Sequence, residues 1–241
     1  MHRALWLADF SRPETWLGAH LDTVRGMMQQ PGGVKRIWIT EVGAPVNDNP
    51  DLNGFFGYPS TGVAVKGQTR EANVSYMIKM YVLALSMGVE KVFWYNYRDW
   101  GSDVTAAEDH FGLVDYWGFP KPAYAAYAQL IQRLDGKQYN QKLNLMGGLI
   151  QAYEFVGEHE DCFVLWTYPE SRQQVTLDSL RPGLTTEQVV SVTSAVGSPV
   201  ALLGAELTVM GTPVFVVVRS ADSGLRDDRI DRGRWRPNIR R

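Results

Sequence analysis

The chain has a single cysteine, Cys162, among 241 residues. One thiol excludes an internal disulfide and any zinc site built on several cysteines. Neither sign of charge dominates, because 24 Lys and Arg face 26 Asp and Glu for a formal net charge of −2. That balance gives no basis for nucleic acid or an anionic membrane as the main partner. No apolar run approaches the ~20 residues a membrane helix needs. The first ten residues hold too short an apolar stretch for a secretion signal, which leaves the compartment open. Histidines are few and scattered, at positions 2, 20, 110 and 159, without metal-ligand spacing, so no metal is expected. No phosphate-binding loop, dinucleotide fingerprint or Gly-x-Ser-x-Gly elbow occurs, and no cofactor is expected. Asn73-Val74-Ser75 fits a glycosylation acceptor, but it falls inside a predicted helix and is expected to be unused.

What is plentiful is aromatic. The chain carries 8 Trp, 11 Tyr and 9 Phe, in a sequence that is 45% hydrophobic and long enough to bury a large core. Core packing accounts for most such rings. A surface that stacks on flat apolar faces, such as those of sugar rings, is the alternative, and position along the chain separates the two.

Residues 14–30 predict a helix, with Trp16, Leu17, His20, Leu21, Val24, Met27 and Met28 recurring at three and four before Pro31-Gly32-Gly33. Residues 36–43 are β-branched and aromatic and end at a glycine, which predicts a strand. A loop rich in Pro, Asn, Asp and Gly follows to about residue 67, with Phe55, Phe56 and Tyr58 inside it. Residues 69–87 predict the clearest helix, with Thr69 as N-cap and Gly88 just past its end. A strand at 90–97, a loop to Pro120 and a helix from Lys121-Pro122 to Leu134 complete an α/β alternation, which implies parallel strands with helical crossovers. Beyond Gly136 short strand-like runs at 149–155, 162–167, 173–177, 189–192 and 214–218 predict an antiparallel β-domain of sandwich type. The expected domains are 1–135, 136–220 and a disordered arginine-rich tail at 221–241.

Glu41 is the first candidate for chemistry. It stands at the carboxyl end of its strand, the end that carries active sites in α/β sheets and barrels. Period two puts it on one face with Ile37 and Ile39, where a carboxylate is costly without partners or a task. At the end of the second strand, Trp94, Tyr95, Tyr97, Asp99 and Trp100 crowd rings and charges together. This suits sugar recognition, rings stacking on a pyranose while polar groups bind its hydroxyls. For Trp94, core packing and sugar stacking both remain open.

These residues carry a resemblance. Ile37-Trp38-Ile39-Thr40-Glu41-Val42-Gly43 resembles the seventh strand of the clan A glycoside hydrolases, retaining (β/α)8 TIM-barrel enzymes. Val92-Phe93-Trp94-Tyr95-Asn96-Tyr97-Arg98-Asp99 resembles strand eight. His110-Phe111-Gly112-Leu113-Val114 and Pro120-Lys121-Pro122-Ala123-Tyr124-Ala125-Ala126-Tyr127 resemble the following loop and eighth helix. Families 5 and 39 are the nearest in pattern, and a small β-sandwich often follows such barrels. The resemblance implies α/β plus all-β architecture: the C-terminal portion of a TIM barrel over 1–135, then an antiparallel sandwich. It also implies Glu41 as nucleophile of a double displacement on β-linked oligo- or polysaccharide, with the strand-eight aromatics lining the sugar subsite.

A retaining mechanism needs a second carboxyl group about 5 to 5.5 Å from the first. In the clan this is a glutamate after an asparagine on strand four, and no Asn-Glu pair occurs here. Glu108, Asp109, Asp99 and Asp103 do not match that position. The expectation is therefore a fragment of a longer enzyme, poorly stable and not catalytic alone. A non-catalytic carbohydrate-binding module, or a fragment that pairs with a separate amino-terminal half, are the competing expectations.

Overall fold

A computed structural model of the chain describes residues 12–28, 35–47, 55–56 and 65–220. The amino-terminal segment, the Pro31-Gly32-Gly33 stop, Tyr58 and the arginine-rich tail lie outside the described residues. Contacts divide the chain into two units, Met1–Tyr127 and Ala128–Arg241.

In the first unit, helix α1 (Pro13–Met28) buries Pro13, Leu17 and Leu21. The expected apolar row is shorter than its spacing implied, since Val24 and Met27 are exposed. Strand β1 (Ile37–Val42) is followed by a two-residue pair, β2 (Phe55–Phe56) with β3 (Val65–Lys66). Helix α2 (Arg70–Ser86) starts where the Thr69 hydroxyl accepts the Ala72 N–H at 3.2 Å. It ends before Gly88, whose φ of +76° is the left-handed turn that glycine adopts without strain. From Val74 to Ala84 nearly every residue of α2 is buried, on all sides rather than on one row. Each fully buried Met, Ile or Val there contributes roughly 1.5–3 kcal/mol. The buried Lys79 ammonium meets Glu14 of α1 at 3.5 Å.

Strand β4 (Val89–Trp94) pairs with β1 in parallel, Ile37 opposite Val89 and Val42 opposite Trp94, with α2 as the connection. This β–α–β unit is the element that barrels and doubly wound sheets share. Asn73, in the sequon, is 2% exposed, and its amide donates to the Ala44 carbonyl at 2.9 Å and to Gln68 Oε1 at 3.1 Å. It is a clamp on the chain leaving β1, closed to a glycan. The Tyr95–Asn96 peptide is cis.

Helix α3 (Pro122–Leu134) begins with a proline where its missing N–H is tolerated, and the division between the units falls within it. The second unit holds β5 (Gln138–Leu145), β6 (Ile150–Val156), β7 (Glu160–Thr167), β8 (Gln173–Thr176), the single-turn α4 (Leu177–Leu180), β9 (Val189–Ser194), β10 (Glu206–Val209) and β11 (Val214–Arg219). The order β5-β6-β7-β11-β9 forms an antiparallel sheet of five, and β10 pairs antiparallel with β8. Ile150, Ala152, Phe163, Leu165, Val214 and Val216 of the larger sheet share one core with Val175, Leu207 and Val209 of the smaller. Cys162 of β7 alternates with Phe163 and Leu165 of that core and is fully buried, which pushes its thiol up to about 12.

A charged cluster ties this unit together. Arg181 Nη2 donates to Glu154 Oε1 at 2.8 Å and to Asp161 Oδ2 at 2.7 Å. Glu154 Oε2 also accepts from Asn140 at 2.6 Å and Gln141 at 2.8 Å. Asp161 Oδ1 accepts from the Ser220 hydroxyl at 2.8 Å and the Gly157 N–H at 3.1 Å. Burial opposes the charge on Asp161, but the bonds from Ser220, Arg181 and Gly157 outweigh it and hold the carboxyl below its ordinary value. A lowered folded value means stability that is present above the unfolded value of 3.8 and lost as pH falls through the folded one. Acid denaturation monitored by the buried Trp166 should therefore sharpen below about pH 4. Arg181→Met should lower stability in urea by about 3–5 kcal/mol, because it strands two buried carboxylates. A loss under ~1 kcal/mol would show that the cluster is not a structural centre.

Candidate functional site

The site is built where two parallel strands end side by side. The Tyr95 N–H donates to the Val42 carbonyl at 2.8 Å, so the chain leaves β1 and β4 at the same level. Gly43 faces this junction. A Cβ there would overlap the Tyr95 carbonyl oxygen and lie 3.2 Å from the Phe111 ring, so only glycine permits the approach.

Glu41 stands one residue before Val42 and is exposed. This corrects the expectation of a desolvated carboxylate on an inward face. The register of β1 slips between Ile39 and Val42, so period two does not carry through to Glu41. Among the described residues the sheet has two strands.

Tyr95 is the centre of the group. Its ring meets Trp100 edge-on at 6.1 Å and Phe111 at 5.5 Å. Its phenol donates to Glu108 Oε2 at 3.5 Å. Burial raises the phenol above its ordinary value of 10.0, and the charges of Glu108 and Glu41 raise it further. The phenol therefore remains a proton donor at neutral pH, with two carboxylates around it. Glu108 sits in the 3-10 turn Ala107–His110, beside Phe111.

The loop after β4 is tied back on itself. Asn96, Tyr97 and Asp99 pair by backbone bonds of 2.9–3.1 Å with Phe111, Leu113 and Val114. Asp99 is buried, and its carboxylate is taken by Lys121 Nζ at 2.6 and 2.7 Å and by the Gly112 N–H at 2.6 Å. Burial pushes the Asp99 carboxyl up and the Lys121 ammonium down, each offset in part by the other. Asp99 orders the loop, and its carboxylate is buried away from the surface a sugar would reach. Trp94 also departs from the expected sugar-binding set, because its ring packs at 6.1 Å on Tyr76 of α2 and its indole N–H is enclosed. Of its two readings, core packing is the one the geometry favours. His110 stacks on Phe56 at 5.3 Å and bonds the Asp103 carbonyl at 2.8 Å, a structural role in the turn.

The structure thus brings together Glu41, Tyr95 and Trp100, leaves Tyr97 exposed nearby in sequence, and withdraws Trp94 and Asp99. Two features escaped the sequence reading. Glu108 had no role assigned, although it is the carboxylate on the Tyr95 phenol. The rings of residues 116–119 fall in the predicted loop before Pro120 and had no role assigned, although Tyr116, Trp117 and Phe119 are exposed. The signal for them was three aromatics around Gly118 in a polar turn. Among the described residues no group of three or more His, Cys, Asp or Glu could hold a metal ion. No described helix is long and apolar enough to cross a membrane.

No protein-family model matches the chain, and no curated protein matches its sequence. Solved structures do resemble it. A family 39 glycoside hydrolase from the gut symbiont Bacteroides cellulosilyticus WH2 aligns with a TM-score of 0.60 at 18% identity, over 81% of this chain and 37% of that one. A conserved exported protein from Bacteroides fragilis aligns with a TM-score of 0.51 at 12% identity, over 87% of this chain and 44% of that one. A GH30 endoxylanase from Clostridium papyrosolvens C71 reaches 0.46 at 13% identity, over 81% and 45%, too loose to bear on the question. The chain spans less than half the length of these proteins. At such identities the likeness is one of fold: the chain has a glycoside hydrolase-like arrangement of helices and sheets.

The Asp99–Lys121 pair makes a test of its own. Asp99→Ala should destabilise the fold by about 3–5 kcal/mol by stranding a buried ammonium. Asp99→Leu combined with Lys121→Met should recover most of that loss in thermal melts. A variant of unchanged stability would show that the pair does not hold the loop.

Proposed function

We propose that residues 1–135, which take in the first unit and the rest of α3, are the C-terminal part of a (β/α)8 barrel of clan A type. On this reading residues 136–220 form its accessory β-sandwich, and Glu41 is the nucleophile of a retaining glycosidase site. The observation that carries the reading is the place of Glu41, exposed at the carboxyl end of a parallel strand beside a ring cluster. The fold likeness to a family 39 glycoside hydrolase supports it. Tyr95, Tyr97 and Trp100 would contact the sugar, with Tyr95 and Trp100 forming a ring corner at 6.1 Å. The substrate class is β-linked oligo- or polysaccharide.

In double displacement the Glu41 carboxylate attacks the anomeric carbon, the bond to the leaving oxygen breaks, and a glycosyl ester forms. Protonation of the leaving oxygen needs a second carboxyl group, and no residue of this chain is assigned that role. The chain by itself should therefore turn over ordinary glycosides poorly or not at all. A second reading, a sugar-binding module without catalysis, is favoured by the same gap and keeps Glu41 as a hydroxyl acceptor.

A leaving group that departs unprotonated separates the two readings. Incubation with dinitrophenyl 2-deoxy-2-fluoro-β-glycosides of several sugars should place a glycosyl mass on the peptide containing Glu41 and release dinitrophenolate once per chain. Glu41→Gln should abolish the label. Binding of the parent sugars without any label would favour the binding module. A label on another residue would remove Glu41 from the role.

A further inference from the structure

We propose that the turn of residues 115–119 is a second glycan contact, and that the site takes an extended neutral polysaccharide chain rather than a small glycoside. The inference rests on the reading of the Glu41 region as a sugar site and deepens it.

The turn is built to hold rings in water. Asp115 closes it, its N–H donating to the Phe119 carbonyl at 2.9 Å and its carboxylate accepting the Phe119 N–H at 2.8 Å. Gly118, at φ +95°, donates to the Asp115 carbonyl at 3.0 Å. Arg98 holds the near side, donating through Nε at 2.9 Å and through Nη2 to the Tyr116 carbonyl, with its guanidinium over the Tyr116 ring. On this frame Trp117 and Phe119 are each 69% exposed. Apart from the edge-on contact of Trp117 with Tyr116 at 5.8 Å, the turn leaves these two rings largely in solvent, where they add little to folding.

The turn continues from the candidate site. Val114 bonds Tyr97 and Asp99 on one side and leads into Asp115 on the other. Exposed rings therefore recur along one tied segment: Tyr97, Trp100, Tyr116, Trp117 and Phe119.

The chemistry of the segment selects the ligand. Its exposed large apolar residues are five aromatics and one aliphatic, Val104. Polar residues separate the strand-end rings from the turn, whereas protein partners favour contiguous apolar patches. Tyr116 and Trp117 pack edge-on with centroids 5.8 Å apart, and with Phe119 they form a ring platform that, with Tyr97 and Trp100 earlier on the same tied segment, suits the successive apolar faces of a pyranose chain. Between residues 97 and 121 stand Asp99, Asp103, Glu108, Asp109 and Asp115 against Arg98 and Lys121. That acidic excess disfavours acidic polysaccharides and anionic lipid surfaces alike.

The test is the dependence of affinity on ligand length, measured on the full chain. Neutral β-linked oligosaccharides of two to eight units, from the gluco, xylo and manno series, are titrated by calorimetry, with polygalacturonate as the acidic comparison. In one series affinity should rise about tenfold or more with length. Trp117→Ala with Phe119→Ala should remove that gain, leave the shortest ligand's affinity unchanged, and leave the melting temperature unchanged. A gain that survives in the double variant, no gain with length, preference for polygalacturonate, or loss of self-association as the variant's only effect would each overturn the proposal. Failure to bind the shortest ligands, with no label on Glu41, counts against the reading of the Glu41 site. Polymer binding that still depends on Trp117 would in that case uphold the second contact.

Discussion

The candidate site depends on one close backbone approach. Gly43 lies against the Tyr95 carbonyl, and the neighbouring Val42 carbonyl takes the Tyr95 N–H at 2.8 Å. Because the two chains meet without a side chain between them, Glu41 and Tyr95 end at the same level. The phenol then senses the Glu41 charge, and Glu108 is drawn to the same phenol from the far side of the loop. A bulkier residue at position 43 would part the strand ends and separate the acid from the rings.

The second constraint is the buried Asp99–Lys121 pair. A charged pair away from water is held at a cost that only good geometry offsets, and here the carboxylate is shared between the ammonium and the Gly112 N–H. The pair fastens the loop after β4 to the residue that precedes α3. It turns a stretch with no long secondary structure into a tied arm, and the arm is what presents Trp100 and the 115–119 turn. Side chains that read as sugar ligands by composition can thus act one step earlier, by fixing the scaffold of those that face solvent.

How much of this was legible in the sequence differs by element. Helix α2 was plain because Thr69 and Gly88 mark its ends and its apolar content is high. Strands β1 and β4 were plain from β-branched and aromatic runs. Their parallel pairing follows from the helix between them. Strands β5 and β10 were not seen. Gln138–Leu145 is mostly polar and sits at the sheet edge, and Glu206–Val209 is only four residues long. The exposure of Glu41 was not legible either. Strand alternation assumes an unbroken register and a covering layer, and β1 slips register before Glu41. Trp94 was undecided because a half-buried strand end gives a ring two faces to choose from, and only the position of Tyr76 decides it.

The exposed aromatics of the first unit are of two physical kinds. Trp38 and Phe93 lie 6.5 Å apart on the β1–β4 sheet, with the Lys91 ammonium 4.2 Å over the indole and Glu90 accepting its N–H at 2.7 Å. They are neighbours on a parallel sheet, a structure that normally has both faces covered. Rings packed on each other and bordered by charges make a surface suited to another layer of protein. Trp117 and Phe119 stand instead on a closed turn held by backbone bonds, and no further layer is needed to satisfy it. Further packing on the first pair would extend the layered sheet, whereas the second already stands on a turn closed by its own backbone bonds. Exposure alone does not separate these cases; the hydrogen bonding of the backbone beneath the rings does.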